Sequence, residues 1–210
     1  MRAVFLDRDG VISENRNDHV KSWEEFRFIP GALNSIAWLR ESGFRVFVVT
    51  NQAIVNRGIV SAEVIEDIHT RMLWHVVQHG GFIDDIHYCP HDYSENCHCR
   101  KPRPGMITAL AAKWNIDLPQ SYIIGDAWTD IAAGHAANCR TIMVRTGRGG
   151  EHLGLPEAQK YPANHVAADL TEAAEWILTQ EGLSLTADKG TTQIARSAGA
   201  RWNATLTMSR

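Results

Sequence analysis

Short apolar runs alternate with longer amphipathic stretches along this chain, and that alternation limits the folds it can adopt. The apolar runs predict β-strands at residues 3–6, 45–49, 86–88, 122–124 and 141–144. Helical periodicity between them predicts helices at about residues 31–41, 61–80, 105–114 and 129–137. Because a right-handed crossover returns the chain to a parallel neighbouring strand, this order predicts an α/β fold in which helices cover both faces of a parallel sheet.

The length of the chain, 210 residues, suits one domain that buries about two thirds of its unfolded surface. We expect this domain at residues 1–182, followed at residues 183–210 by a loosely ordered tail rich in Thr, Ser, Ala and Gly. The formal net charge of -3 gives no basic stripe, so we expect a small soluble substrate and no nucleic-acid or membrane partner. The N-terminal apolar run is too short for a signal peptide or a membrane span, which predicts a cytoplasmic protein, and we expect a monomer.

Polar residues follow four of the predicted strands. In parallel sheets ligands bind beyond the carboxyl ends of the strands, so these residues are expected to converge on one edge. They are Asp7 and Asp9, Thr50 and Asn51, Cys89 and His91, and Asp126.

Two carboxylates, those of Asp7 and Asp9, stand two residues apart directly after the first predicted strand. In extended backbone both face the same side. One can attack phosphorus as a nucleophile while the other donates and accepts a proton. An Asp-x-Asp sequence by itself is equally consistent with a solvated turn, so the interpretation depends on residues further along the chain.

Carboxylates that lie close together beside a phosphate require a hard cation with oxygen ligands, and Mg²⁺ is the natural choice. Asp126, at the end of the fourth predicted strand, is the stronger candidate for a further ligand. Asp130 comes one helical turn later. It is either an outer residue that holds a ligand in place or a first-turn acidic residue favoured by the helix dipole.

Other polar groups near this edge can bind a phosphoryl oxygen. Thr50, Asn51 and Gln52 offer a hydroxyl, two side-chain amides and backbone N–H groups, although such a segment can also be a simple turn. Lys101 can hold a cation against the transferring group, although a single lysine is often a surface charge.

A Cys-x-His pair followed by a Cys-x-Cys pair supplies three thiolates and an imidazole, which suit tetrahedral Zn²⁺ with no open position. The predicted ligands are Cys89, His91, Cys97 and Cys99. Such a closed site is structural, and it would order the loop that leads to Arg100 and Lys101. The alternative is four unpaired polar groups, with His87 or His98 as substitute ligands. Cys139 stands apart and is expected to be a buried apolar residue.

The segments around Asp7, Thr50, Lys101 and Asp126, in this order, resemble the haloacid dehalogenase superfamily of phosphatases. The resemblance covers roughly residues 2–145 and implies a Rossmann-like sheet. It implies that Asp7 forms an aspartyl-phosphate and that Asp9 is the general acid and base. It further implies that Thr50 and Lys101 steady the phosphoryl group. It implies that Asp126 binds Mg²⁺ with Asp7 and the Asp9 carbonyl. The chain has no large insertion for a cap domain, so we expect an open pocket shaped by residues 15–21 and the zinc loop.

The cysteine motif, continued by Arg-Lys-Pro, resembles the branch that contains the D-glycero-D-manno-heptose 1,7-bisphosphate phosphatases and the histidinol-phosphate phosphatases. Residues 51–58, with Asn-Gln followed by Arg-Gly, are closer to the heptose enzymes. The resemblance therefore implies a heptose bisphosphate 7-phosphatase, with histidinol phosphate or another small sugar phosphate as the alternative substrate. Arg57 and Arg100 are candidates for the non-reacting phosphate because a guanidinium binds two oxygens at once, although either can be a surface residue.

Two departures from the family pattern bear on the substrate alone. Ala127 stands where related enzymes often carry a lysine, and Ala53-Ile54 stand where the heptose enzymes commonly have Ser-Gly. An alternative of another class is a catalytically silent, zinc-stabilised binding domain whose acidic cluster holds only a metal or a partner. The presence of every expected catalytic residue argues against it.

Overall fold

The central feature of the computed structural model is a six-stranded parallel sheet. The structure describes residues 1–188 and 191–196. The strands are β1 Ala3–Leu6, β2 Arg45–Asn51, β3 Asp85–Cys89, β4 Tyr122–Gly125, β5 Arg140–Val144 and β6 His165–Ala167. Their order in the sheet is β3-β2-β1-β4-β5-β6. The predicted α/β fold is confirmed, since the five predicted strands are all present with bounds that differ by at most two residues.

Helices cover both faces of the sheet. They are α1 Ala32–Glu41, α2 Ala62–Gln78, α3 Gly105–Trp114, α4 Trp128–Ala136, α5 Gly149–His152, α6 Pro156–Lys160 and α7 Leu170–Gln180. Alternate β1 residues point to opposite faces: Val4 and Leu6 pack with α1, α2 and α7, whereas Ala3 and Phe5 pack with α3 and α4. Burial on both faces explains why the strand sequences are continuous apolar runs.

Strand β6 and helices α5, α6 and α7 lie outside the predicted set. Strand β6 has three residues and stands at the edge of the sheet, so it carries little apolar signal. Helix α7 does have a clear apolar pattern, because its buried residues recur at helical spacing from Leu170 to Leu178. The carboxylate of Asp169 caps this helix by accepting from the backbone N–H groups of Thr171 at 2.8 Å and Glu172 at 3.0 Å.

The strand order places a crevice where the site is expected. From β1 the chain continues to β2 and β3 on one side and then returns to β4 on the other, so β1 and β4 flank a topological switch point. The connections after β1 and β2 contain one short 3-10 helix, Trp23–Glu25, before α1 and α2 begin. In the described part of the chain they therefore hold no cap domain.

The C-terminal segment contains regular structure where the sequence predicts a loose tail. Strands β7 Leu183–Asp188 and β8 Thr191–Arg196 form an antiparallel pair separate from the main sheet. The rest of the predicted tail, residues 189–190 and 197–210, lies outside the described residues. Among the described helices, none combines the length and the apolar character that crossing a membrane requires.

Candidate active site

The loop after β1 brings Asp7 and Asp9 to the switch point. The backbone N–H of Asp7 donates to the carbonyl of Ile124 at 3.0 Å, which continues the pairing of β1 with β4. Gly10 has a φ of +91°, and a Cβ built there would lie 2.1 Å from Oδ2 of Asp126. A side chain is therefore excluded both by the backbone conformation and by space, and the glycine lets the two strand ends meet.

Three carboxylates gather at this point. Asp7, Asp126 and Asp130 each offer an oxygen within 4.8 Å of the others. Burial, together with the carboxylates of Asp7 and Asp130, raises the pKa of Asp126 to about 8. Burial also raises the pKa of Asp7 to about 6, although the ammonium of Lys101 opposes this shift. Oxygen donors with this concentration of negative charge fit a hard divalent cation.

Asp130 is fully buried, and both its oxygens face partners within the protein. Its Oδ2 accepts from the backbone N–H of Ala127 at 3.0 Å, and its Oδ1 lies 2.5 Å from Nζ of Lys101. This arrangement suits the predicted outer residue better than a direct metal ligand, because Oδ2 accepts a hydrogen bond and Oδ1, which makes no hydrogen bond to any described residue, is ion-paired with Lys101.

Lys101 is a buried cation between the acidic residues. Its Nζ lies 3.1 Å from Oδ1 of Asp7 and donates to the carbonyl of Val49 at 2.7 Å. Burial by itself lowers the pKa of Lys101, but the carboxylates of Asp130 and Asp7 raise it on balance. The ammonium therefore stays charged beside Asp7, where a phosphoryl group attached to that carboxylate would meet it.

Asn51 and Gln52 support the site through contacts within the protein. The side chain of Asn51 accepts from the backbone N–H of Lys101 and donates to its carbonyl, both at 3.1 Å. The amide nitrogen of Gln52 donates to Oδ2 of Asp9 at 2.9 Å and to Oγ1 of Thr50 at 3.0 Å. Gln52 is buried, so its position differs from the predicted substrate contact. Asn51 also lines the cleft, and its predicted contact with phosphate stays a prediction.

The carboxylate of Asp9 accepts hydrogen bonds from several neighbouring side chains. Arg8, Gln52 and Ser13 all donate to its carboxylate. Burial acts to raise the pKa of Asp9, but the charge of Arg8 and these hydrogen bonds lower it on balance. Arg8 was missed by the sequence reasoning. Its only signal is its place between two carboxylates, since nothing in the sequence indicates that this arginine is wholly buried.

A cleft of about 470 Å³ opens above the acidic cluster. Most of the predicted site residues line it, and Asn15 and His19 confirm the expected contribution of residues 15–21. The lining residues that were not predicted include Trp128, Thr129, Arg148 and His152. Arg148 was detectable in principle, because it follows the fifth predicted strand by four residues.

The two arginines predicted to bind a second phosphate have partners in the protein. Arg57 forms a bidentate pair with Asp92, with Nε 2.7 Å from Oδ2 and Nη2 2.9 Å from Oδ1. Arg100 donates from Nη1 to the carbonyl of His91 at 3.1 Å. Both line the cleft, but the guanidinium of Arg57 is already committed to a carboxylate.

The predicted zinc ligands lie together in the loop between β3 and α3. Their ligand atoms are within 4.8 Å of one another, and all three cysteines are free thiols. The Sγ of Cys89 lies 3.2 Å from that of Cys99 and 3.5 Å from that of Cys97. Nδ1 of His91 lies 3.3 Å from Sγ of Cys99. Three sulfurs and one nitrogen at such separations fit one tetrahedral ion. Neither substitute ligand, His87 or His98, belongs to this group.

Comparisons with known proteins agree with this geometry. Residues 98–173 match the family model described as HAD-hydrolase-like. A D-glycero-beta-D-manno-heptose-1,7-bisphosphate 7-phosphatase of Pseudomonas aeruginosa is 38% identical over 153 residues, which are 73% of this chain and 86% of that protein. The chain belongs to the haloacid dehalogenase superfamily.

Further members of the haloacid dehalogenase superfamily extend the match over more of the chain. The phosphatase of the same name from Neisseria meningitidis serogroup A is 34% identical over 90% of this chain and 100% of its own. A crystal structure of D,D-heptose 1,7-bisphosphate phosphatase from B. bronchiseptica, complexed with magnesium and phosphate, superposes with a TM-score of 0.80. It is 36% identical and covers 86% of this chain and 99% of that one. The resemblance predicted from the sequence, including its narrower branch, is confirmed.

Proposed function

We propose that this protein is a Mg²⁺-dependent phosphatase that removes the 7-phosphate of D-glycero-β-D-manno-heptose 1,7-bisphosphate through an aspartyl-phosphate. The observation that carries the proposal is the position of Asp7, 3.1 Å from the ammonium of Lys101 and grouped with Asp126 at the floor of the cleft. The relatives named above support the substrate, and their names specify the β-anomer.

The residues divide the reaction into two displacements. The Asp7 carboxylate attacks phosphorus, which forms an O–P bond and breaks the bond to the sugar oxygen. Asp9 gives that oxygen a proton in the minor fraction of molecules in which it is protonated, because its contacts lower its pKa. A water molecule then attacks phosphorus, Asp9 takes its proton, and inorganic phosphate leaves as the Asp7 carboxylate is restored. Lys101 and the Thr50 hydroxyl steady the phosphoryl oxygens throughout.

Asp7, Asp126 and the carbonyl of Asp9 would hold Mg²⁺, with Asp130 fixing Lys101 behind them. The cation supplies charge neutralisation between the carboxylates and the phosphoryl oxygens. Cys89, His91, Cys97 and Cys99 would hold a structural Zn²⁺ that orders the loop bearing Arg100 and Lys101. The cytoplasmic location, the monomeric state and the lack of nucleic-acid and membrane partners stay predictions.

Release of phosphate tests the enzymatic part of the proposal. Mg²⁺-dependent hydrolysis of p-nitrophenyl phosphate should disappear in Asp7→Asn, because an amide cannot form the intermediate. Asp67→Asn, which changes an exposed carboxylate on α2, is the matched control and should keep its activity. If the wild-type protein hydrolyses no phosphate monoester, the silent zinc-stabilised binding domain becomes the better interpretation.

Turnover of different substrates tests the specific assignment. The two anomers of the heptose bisphosphate, histidinol phosphate and simple sugar monophosphates are compared by kcat/KM. We expect the β-bisphosphate to have the highest value. A wide preference for histidinol phosphate would refute the heptose assignment while leaving the phosphatase in place.

A further inference from the structure

Three arginines line the cleft, and they differ in what their guanidinium groups already bind. Arg57 is tied to both oxygens of Asp92, and Arg100 is held by the carbonyl of His91. The side chain of Arg148 makes no hydrogen bond and no ion pair with any residue that the structure describes. Its charge is thus fully available to a ligand.

The backbone fixes Arg148 beside the reacting groups. Its N–H donates to Oδ2 of Asp126 at 2.8 Å. The preceding Gly147 has a φ of +59°, and a Cβ there would lie 2.6 Å from Cα of Gly10. The hydroxyl of Thr146 donates to the carbonyl of Gly10 at 2.6 Å. This turn is therefore tied to the loop that carries Asp7 and Asp9, and the Arg148 side chain begins at the rim of the site.

The other basic groups near Arg148 contribute little charge to the cleft. His19 and His152 both line it. Burial lowers the pKa of each histidine, and the charge of Arg148 lowers both further. Arg57 acts on His19 in the same direction. Near neutral pH the cationic character of this side of the cleft thus comes from arginine.

Position 127 adds no charge, because it is an alanine. Ala127 directly follows Asp126 and lines the same cleft as Arg148. When a second phosphate of the substrate enters the cleft it loses hydration, and a nearby cation offsets that loss. A guanidinium suits this role because it can bind two phosphate oxygens at once.

We propose that Arg148 binds the phosphate that is not cleaved and so selects bisphosphates over monophosphates. This inference rests on the proposed function. Arg57, by contrast, already pairs with Asp92 of the zinc loop.

The test compares two substrates in one variant. For Arg148→Gln, the ratio of kcat/KM for the heptose 1,7-bisphosphate to kcat/KM for p-nitrophenyl phosphate should fall about 30-fold, mainly through KM, because a charge-assisted contact present only with the bisphosphate is lost. Arg148→Lys should recover part of the ratio. Arg145→Gln is the matched control, since Arg145 is also exposed but lies outside the cleft, and its ratio should not change.

The outcomes separate the two claims. If the wild-type protein prefers the bisphosphate and Arg148→Gln keeps that preference, the inference is wrong and the proposed function stands. The inference is also wrong if Arg148→Gln lowers both kcat/KM values equally at an unchanged Tm. If the wild-type protein does not prefer the bisphosphate, the proposed substrate is wrong and the inference fails with it.

Discussion

The guanidinium of Arg8 is wholly buried and donates to both oxygens of Asp9, with Nε 3.0 Å from Oδ1 and Nη2 2.8 Å from Oδ2. Its remaining Nη1 lies 3.2 Å from Nε2 of the buried His69. The charge of Arg8 is therefore balanced by the carboxylate proposed as general acid and base. The Arg8–Asp9 pair thus contributes to the stability of the folded protein and also holds Asp9 in position.

Loss of one member of this pair should be costly. Arg8→Met leaves the Asp9 charge without its buried partner, and we expect a loss of about 3–5 kcal/mol in the free energy of unfolding. Arg71→Met is the control, because the Arg71–Asp67 pair is exposed and should contribute at most about 1 kcal/mol. Urea denaturation measures both, and equal losses would contradict the buried-pair account.

Two glycines with similar positive φ angles allow the effect of backbone strain to be distinguished from the effect of a steric contact at the site. Gly10 has a φ of +91° and Gly43 a φ of +85°, so alanine at either position should cost about 1 kcal/mol or more. Only at Gly10 would the new Cβ meet Asp126, since nothing lies within 4 Å at Gly43. We therefore expect Gly10→Ala to abolish phosphate release and Gly43→Ala to preserve it. Similar activities in the two variants would argue against this close approach.

The acidic cluster should make stability without Mg²⁺ depend on pH. The pKa values of Asp7 and Asp126 rise from 3.8 to about 6 and about 8, so the folded state binds more protons than the unfolded state between these limits. Their contribution to stability is complete below about pH 3.8 and is lost as pH rises through the folded values.

Thermal unfolding at several pH values measures this effect. The decrease in Tm from pH 5 to pH 8 should be smaller in Asp126→Asn than in the wild-type protein, because the variant lacks the group with the larger shift. Added Mg²⁺ should raise the Tm most at the higher pH, where both carboxylates are ionised. An identical pH slope in the variant would refute the assignment.

The cysteine cluster should bind about one zinc ion per chain, as its four ligands form a closed site. Cys97→Ser should lower the zinc content, the Tm and phosphate release together, because the loop it orders leads directly to Lys101. Cys139→Ser is the control, since Cys139 lies outside the cluster, and should keep its zinc. Elemental analysis of the purified proteins measures the zinc content, and full zinc in Cys97→Ser would exclude that ligand.

Local patterns were sufficient to predict the parallel sheet and the ends of its strands. Continuous apolar runs such as residues 122–124 occur because both faces of a parallel strand are buried, so the fold leaves a direct mark on the sequence. The polar residues that follow Leu6 and Gly125 were placed at one edge by topology alone. Metal-binding spacing identified Cys97 and Cys99 in the same way, because ligands of one ion cluster along the chain.

Only the tertiary structure decided which polar side chains face the cleft and which face each other. Gln52 turns inward to Asp9, Arg57 is paired with Asp92, and the Arg148 side chain has no partner among the residues that the structure describes. These choices depend on hydrogen-bond partners many residues apart, and a sequence carries no local periodicity for them. The residues at the strand ends, which the sequence predicts, supply the reacting groups. The positive charge that a substrate meets depends on which cationic side chains of the loops are paired within the protein, and only the tertiary structure shows that.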